Sequence, residues 1–306
     1  MNQEAPQQQF ELFESPHRRF YAIAFGWSWL IWIGAWIIGE QLDIGDTLFN
    51  EELVWQVIFE GDVAGKVLLV SLLSLLAVFG PMIGGIISSR MDPAVPDGHL
   101  RDSLRKRGIG SSNWSLVLGA LGIVIVPPLL ISVLAFDRTP DGPSIGTLIP
   151  FLLVLFLVQM ITSGTEEFGW RGYLAEKMLR GRNFWDAGWS IGWVWAAWHY
   201  PVVVIMFIQA GMIPVQIIGS LAGFTMGIVA MSIFHAWFYQ RTGSVFLNVV
   251  IHSLFNTLPF TIVLLYEGSP AATLSNLLLW AIVFYLRRRE GISDDSPAPM
   301  VEEGAA

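Results

Sequence analysis

Cysteine is absent from the 306-residue sequence, so disulfide bonds, thiolate nucleophiles and cysteine-ligated metal sites are excluded. Charged residues are also scarce, because only 14% of the residues are Asp, Glu, Lys or Arg, whereas an ordinary soluble domain has about 25%. A chain with so few charges could not cover the surface of a soluble protein of this size. The net charge of −8 offers nothing to a nucleic acid, so no nucleic-acid partner is expected.

Long apolar runs take the place of the missing charges. The sequence is 54% hydrophobic and has a mean hydropathy of +0.56. Its apolar runs of about 17–25 residues have the length at which a helix crosses a ~30 Å hydrocarbon core. We predict an all-α fold, a polytopic membrane bundle of about eight transmembrane helices that contacts the lipid bilayer. The predicted spans are 20–39, 67–89, 114–136, 147–165, 187–210, 213–239, 244–266 and 270–286, and the fourth is expected to continue as a helix toward Leu179.

The basic residues set the expected orientation of these spans. If the loops alternate between the two sides, only Lys66 and Arg138 lie on one side, and the other 15 of the 17 basic residues lie opposite. The positive-inside rule then places both termini in the cytoplasm. The expected location is the plasma membrane of a prokaryote.

The chain divides into five expected regions. They are an N-terminal cytoplasmic tail (1–19), accessory transmembrane helices (20–136), a core that carries the polar residues (147–265), a last transmembrane helix with a basic end (270–289) and a disordered acidic tail (290–306). Glycines four residues apart predict close helix packing: Gly80 with Gly84, Gly188 with Gly192, and Gly219, Gly223 and Gly227.

A pair of glutamates stands where the fourth span is expected to end. On a helix Glu167 and Arg171 are four residues apart and can pair, whereas Glu166 points about 100° away from Glu167. A structural salt bridge at the end of a span explains Glu167 and Arg171. It does not explain Glu166, and an ionisable residue within a span is by default a functional candidate.

Three further polar groups lie in later spans. His199 has no charged neighbour in its own span, and His252 and Asn256 share one face of the seventh span. Each has a structural alternative, a core hydrogen bond for His199 and an interhelical clamp for the other two. For His235, near the end of the sixth span, we favour a structural role.

The depths expected for these residues in the membrane differ too much for their side chains to meet. Glu166 is expected near the cytoplasmic end of its span, His252 about nine residues in and His199 about twelve residues in. Straight helices would then separate them in depth by up to ~15–20 Å. Tilted helices or a cavity sunk from the cytoplasmic side would have to bring them together.

The polar residues resemble the type II CAAX prenyl endopeptidase family, also called the CAAX protease and bacteriocin-processing group. Three signatures occur in the family's order: Glu166-Glu167-x-x-x-Arg171, Trp195-x-x-x-His199 and His252-x-x-x-Asn256. The second usually begins with Phe, so Trp195 is a departure. The stretch 239–244, Tyr-Gln-Arg-Thr-Gly-Ser, is also similar to the family. The resemblance covers residues 147–265 and none of the first three spans.

The resemblance implies an intramembrane endopeptidase that depends on glutamate and forms no covalent intermediate. By this likeness Glu166 and His199 would activate water, while Glu167 and Arg171 would support and orient the site. His252 and Asn256 would hold the oxyanion. The expected substrate is a protein or peptide, lipidated or hydrophobic, cut near its C-terminus at a site facing the cytoplasm. No cofactor is expected.

Other functions stay open at this point. In a zinc protease, Glu166, His199 and His252 would bind the metal, although no His-Glu-x-x-His motif is present. A non-catalytic scaffold or immunity-type protein would bind a hydrophobic peptide or partner. A transporter is less consistent with polar residues confined to the second half of a chain without internal repeats.

Overall fold

The computed structural model describes residues 15–44, 65–106, 109–134, 144–259, 262, 265 and 272–292. All regular structure among these residues is helical, which confirms the predicted helix bundle. In chain order the helices are α1 (Ser15–Gln41), α2 (Gly65–Leu75), α3 (Gly80–Met91), α4 (His99–Arg105), α5 (Ser111–Leu134), α6 (Ile145–Met178), α7 (Phe184–Gln209), α8 (Pro214–Thr242), α9 (Val245–Thr257) and α10 (Ala272–Arg289). A 3₁₀ turn at Leu76–Phe79 joins α2 and α3 into one span.

Six helices are long and apolar enough to cross a membrane: α1, α2 with α3, α5, α6, α7 and α8. They confirm a polytopic membrane protein and the first six predicted spans. The seventh prediction coincides with α9, which is a shorter apolar helix of 13 residues. The eighth coincides with α10, whose last turn carries Arg287, Arg288 and Arg289. Because of these three charges, α10 does not qualify as a span by composition.

One end of the bundle carries the basic residues that close several helices, and we call it the basic end. Arg90 lies in the last turn of α3, Lys177 near the end of α6 and Arg241 in the last turn of α8. This clustering agrees with the charge asymmetry from which the cytoplasmic side was predicted.

The span α6 explains how Glu166 reaches the depth of the histidines. Its helix continues to Met178, as predicted, so Glu166 stands twelve residues from the basic end, about 18 Å at 1.5 Å per residue. His199 stands fifteen residues after Phe184, where α7 begins at the same end, or about 22 Å. Counted from the ends of α6 and α7 that meet at the basic end, Glu166 and His199 therefore lie at a similar depth, and the expected difference between them is absent.

The backbone of α6 departs from a regular α-helix around the glutamate pair. A tight 3₁₀ turn covers Ser163–Glu166, and a wide π-helical stretch follows at Trp170–Ala175. Stretches of this kind inside long helices are common at functional sites. The two irregular turns bracket Glu167–Gly169, so they determine where the side chains of the pair point.

Helices α1 and α3 pack directly against this irregular segment. A Cβ added to Gly85 of α3 would lie 2.7 Å from the Cα of Gly169, so the two backbones are in contact. The Phe20 ring of α1 meets the Trp170 ring edge to face at 5.3 Å. The first spans, which lie outside the family resemblance, therefore form the wall behind the glutamates.

The predicted glycine contacts are confirmed only in part. Gly84 packs on the α1 backbone, and Gly188 and Gly192 pack on the α8 backbone at Ile233 and Val229. In contrast, Gly219 and Gly223 have no atom within 4 Å of an added Cβ. Both are exposed on the first half of α8, so the described residues do not show the packing that was predicted for them.

A short turn between α8 and α9 aligns the polar faces of these two helices. Gly243 ends α8 with a φ of 56°, a left-handed conformation that favours glycine. The next residue, Ser244, caps α9 by accepting a hydrogen bond from the N–H of Leu247 at 3.1 Å. The chain therefore reverses at once, and His235 on α8 faces Asn248 on α9.

The predicted tail beyond residue 292 and most of the N-terminal tail lie outside the described residues.

Candidate active site

Glu166 is a buried carboxylate held by two tryptophans. Its side chain is 3% exposed. The indole N–H of Trp195 donates to Oε2 at 2.8 Å, and the indole N–H of Trp170 lies 3.4 Å from the same oxygen. Since both donors approach Oε2, they fix the carboxylate plane without engaging Oε1. Among the residues that the structure describes, no cation is bonded to this buried carboxylate, which is unusual and sets Glu166 apart from its neighbour.

Glu167 lies at the centre of a separate ionic network. Its Oε1 accepts hydrogen bonds from Nη1 of Arg171 at 3.0 Å and from Nδ1 of His252 at 2.9 Å. Glu167 and Arg171 are both fully buried. The sequence-based expectation that Arg171 pairs with Glu167 and leaves Glu166 to other partners agrees with this geometry.

The indole of Trp195 stands between the two carboxylate systems. The guanidinium carbon of Arg171 lies 4.6 Å from the centre of this ring, and the His252 ring meets it edge to face at 5.1 Å. The His199 ring lies 6.1 Å away. Glu166, His199 and His252 are therefore gathered around one buried tryptophan.

His199 is held in a single tautomer by its own helix. Its Nδ1 lies 2.9 Å from the carbonyl oxygen of Trp195, which can only accept, so Nδ1 carries the proton. A neutral ring then has a lone pair on Nε2. The His199 side chain is half-buried, and its ring contacts Trp198 at 4.5 Å and Phe224 at 5.5 Å.

Asn256 is the predicted site residue that the structure leaves outside the buried network. It lies one turn beyond His252 on α9, but it is exposed, and its amide donates to Oε1 of Gln159 at 3.4 Å. The hydroxyl of Ser163 donates to the same oxygen. A polar group of Gln159, Ser163 and Asn256 therefore borders the site away from the basic end.

Two buried residues join the site although no role was predicted for them there. Nδ1 of His235 lies 2.8 Å from Oδ1 of Asn248 and 3.7 Å from Oε2 of Glu167. Sequence reasoning treated His235 as structural and did not single out Asn248. A signal was present, because Asn248, His252 and Asn256 recur every four residues on one face of α9.

The basic end of the site is covered by a strap between α3 and α5, which we define as residues 92–106. Asp92 pairs with Lys177 and accepts from the hydroxyl of Tyr173 at 3.2 Å. Farther along, His99 lies 3.3 Å from the hydroxyl of Tyr239. The strap therefore packs over the π-helical turn of α6.

The metal alternative was tested on ligand geometry. Within the described ranges, no group of three His, Asp or Glu side chains is arranged to hold a metal ion. Nδ1 of His199 and Nδ1 of His252 are each engaged by protein oxygens. These contacts leave Nε2 of each ring as the coordinating nitrogen, but within the described residues no third side chain is arranged with them to hold zinc.

Comparisons with known proteins identify the same part of the chain. Residues 146–258 match the family model described as type II CAAX prenyl endopeptidase Rce1-like. Over 107 residues the chain is 29% identical to CAAX prenyl protease 2 of Methanococcus maripaludis, a match that covers 35% of this chain and 39% of that relative. The resemblance predicted for residues 147–265 is therefore confirmed, over a segment that holds all three signatures.

Proposed function

We propose that the protein is an intramembrane endopeptidase that hydrolyses a peptide bond near the C-terminus of a lipidated or hydrophobic protein. The main observation behind this proposal is that the two adjacent glutamates have different bonding partners. Glu167 is bonded to Arg171 and His252, whereas the donors that reach Glu166 from the described residues are two indoles on a single oxygen. The match to the prenyl endopeptidase model over residues 146–258 supports the same reaction class.

In this mechanism Glu166 and His199 activate the attacking water. Oε1 of Glu166 takes a proton from water as the water oxygen attacks the scissile carbonyl carbon, because both indoles occupy Oε2. Nε2 of His199 accepts the second hydrogen bond of that water, since Nδ1 is committed to the Trp195 carbonyl. The proton held on Glu166 then passes to the leaving amine nitrogen as the C–N bond breaks.

Stabilisation of the tetrahedral oxyanion falls to His252 and Asn256. Glu167 accepts from Nδ1 of His252 at 2.9 Å, so in this mechanism the ring meets the oxyanion through a second donor, Nε2–H. Such preorganised donors in a site that excludes water make large contributions to catalysis. Because Asn256 is exposed and bonded to Gln159, its amide must turn toward His252 when substrate binds.

The substrate class follows from the surroundings of the site. The carboxylates are buried inside an apolar bundle, so a peptide that reaches them must leave water, as a lipidated or hydrophobic C-terminus does. The relative from M. maripaludis carries the name CAAX prenyl protease 2. We propose a prokaryotic plasma membrane as the location, with the basic end in the cytoplasm.

A non-catalytic scaffold is the second candidate function. It would use the same pocket to bind a hydrophobic peptide without turnover. The buried network around Glu167 is compatible with both functions, whereas a buried Glu166 without a bonded cation favours catalysis, because a binding site gains nothing from an unneutralised carboxylate.

Comparative peptidomics of membranes tests these two functions. Membranes with the wild-type protein should accumulate new C-termini on lipidated or hydrophobic proteins, and membranes with Glu166→Ala should not. Glu40→Ala is the matched control, because Glu40 lies at the far end of α1. If wild-type and Glu166→Ala membranes have identical C-termini while both proteins cross-link to the same hydrophobic partner, the scaffold function is correct.

A further inference from the structure

We infer that His235 is a positioning residue of the proposed active site, which with Asn248 holds the Glu167 carboxylate on the side opposite Arg171 and His252. This inference rests on the proposed function and extends it to two residues outside the three signatures.

The first argument is the uneven solvation of Glu167. Both of its short hydrogen bonds, from Arg171 and His252, end on Oε1. Oε2 is buried and has no hydrogen-bond partner among the residues that the structure describes. Nδ1 of His235 approaches this oxygen to 3.7 Å. Because a buried carboxylate is costly when only one oxygen is satisfied, the His235 N–H is the group that counters rotation of Oε2 away from the network.

The second argument is that Asn248 fixes the ring of His235. The Asn248 amide nitrogen donates to the carbonyl oxygen of Ser244 at 2.9 Å, which leaves Oδ1 as the atom that faces His235. Oδ1 can only accept, so the proton of His235 resides on Nδ1, 2.8 Å away. The N–H therefore points to Asn248, and the same Nδ1 lies 3.7 Å from Oε2 of Glu167, so the polarised N–H acts on the carboxylate by electrostatic attraction and not through a hydrogen bond. Asn248 therefore selects the tautomer in which His235 can support the carboxylate.

The third argument is that the His235 ring contacts the residues that donate hydrogen bonds to Glu166 and Glu167. The His235 ring meets the His252 ring at 5.6 Å and the Trp195 indole at 6.2 Å, both close to edge to face. His252 donates to Glu167, and Trp195 donates to Glu166. His235 is fully buried, so it acts through these neighbours and not on the reacting atoms.

Three variants separate a positioning role from simple packing. His235→Phe keeps the ring volume and the aromatic contacts but removes the N–H. His235→Asn fills less space but retains an amide donor near the place of Nδ1. Asn248→Ala removes the fixed acceptor and leaves the ring intact. If His235 only fills space, His235→Phe should be more active than His235→Asn. If His235 positions Glu167, His235→Asn should be more active than His235→Phe.

The experiment measures cleavage of a farnesylated peptide by the full-length protein in liposomes. We expect His235→Phe to lower kcat roughly tenfold to hundredfold with little change in KM, a loss typical of a small misplacement of catalytic groups. Asn248→Ala should lower kcat in the same direction, and His235→Asn should recover part of the loss. His99→Phe is the matched control, because it removes an imidazole from the strap at the basic end, and it should retain wild-type kcat.

Nitrogen-15 NMR of histidine-labelled protein in bilayers gives a readout that does not depend on activity. Five histidines are present, and the signal that disappears in His235→Phe identifies His235. In the wild-type protein this signal should show a protonated Nδ1. Its chemical shift should change in Asn248→Ala. A His235 ring protonated on Nε2 alone would overturn the inference. So would wild-type kcat in both His235→Phe and Asn248→Ala while Glu166→Gln is inactive. An active Glu166→Gln would instead refute the proposed function.

Discussion

The indole N–H of Trp195 donates to Oε2 of Glu166 at 2.8 Å and so joins the second signature to the first across two helices. The same residue accepts from Nδ1 of His199 through its main-chain carbonyl. The position where the family usually has Phe thus holds, in this chain, a side chain with a donor. The departure from the family pattern corresponds to a hydrogen bond on the proposed base.

Replacing Trp195 by Phe tests this hydrogen bond. The variant keeps an aromatic ring and the main-chain carbonyl that holds His199. It removes the donor to Glu166 and part of the ring surface that Arg171 and His252 contact. A hydrogen bond to a charged group is worth about 1.5–3 kcal/mol, and we expect kcat for peptide cleavage to fall roughly tenfold to hundredfold. Trp193→Phe is the control, because Trp193 is 51% exposed on the same helix. Equal kcat in the two variants would contradict the role of the indole N–H.

The contact between α3 and α6 predicts a loss of stability in Gly169→Ala. An added Cβ at Gly169 would collide with the carbonyl oxygen of Pro81, and overpacking of this kind costs typically about 1–3 kcal/mol. Thermal unfolding in detergent should show a lowered Tm. Gly119→Ala is the control, because a Cβ there meets nothing within 4 Å. Identical Tm values for the two variants would show that the backbones are not in contact.

We expect Asp92 to stabilise the basic end in a pH-dependent way. Burial alone would raise its pKa, but hydrogen bonds from Lys177 and the N–H of Ala94 outweigh burial and hold the pKa below its ordinary value. Because the pKa of Asp92 is lower in the folded protein than in the unfolded chain, the ionised carboxylate stabilises the fold at pH values above the unfolded pKa of about 4. This stabilisation is lost as the pH falls through the folded pKa.

Thermal unfolding between pH 7 and pH 3 checks this linkage. Asp92→Asn should unfold at a lower temperature than wild type at pH 7, and the difference should shrink below about pH 4. Asp97→Asn, an exposed carboxyl in the same strap, should follow wild type throughout. A difference that stays constant with pH would mean that the charge of Asp92 does not contribute.

Metal analysis tests the zinc alternative. Because no described group of three His, Asp or Glu side chains is arranged to hold a metal ion, we expect less than stoichiometric zinc in the purified protein. We also expect peptide cleavage to survive o-phenanthroline. Stoichiometric zinc that is lost in His199→Ala, together with inhibition by the chelator, would establish a zinc protease instead.

Much of the fold could be predicted because membrane spans depend on composition. Apolar runs and clustered arginines predicted the helix bundle, the first six spans and the continuation of α6 toward Leu179. The charges of Glu166, Glu167 and Arg171 were taken to mark the end of the fourth span at residue 165. Arg171 pairs with Glu167, whereas Glu166 is held by the indole of Trp195 on α7. That second contact is a tertiary effect that composition does not reveal.

The site could be predicted only as far as spacing within one helix allows. The pairing of Glu167 with Arg171 follows from their separation of four residues, and the structure has this ion pair at 3.0 Å. The contacts of His235 with Asn248 and of Asn256 with Gln159 cross between helices. They depend on the register of α6, α8 and α9, which no local pattern specifies.

The central claim, that Glu166 is the base and Glu167 an ionic support, is tested most directly by the kcat of purified Glu166→Gln in liposomes with a farnesylated peptide. We expect kcat to fall by at least about 10²–10⁴-fold, the usual contribution of a general base, while Tm stays within a few degrees of wild type. A folded Glu166→Gln that cleaves the peptide at the wild-type rate would contradict the account.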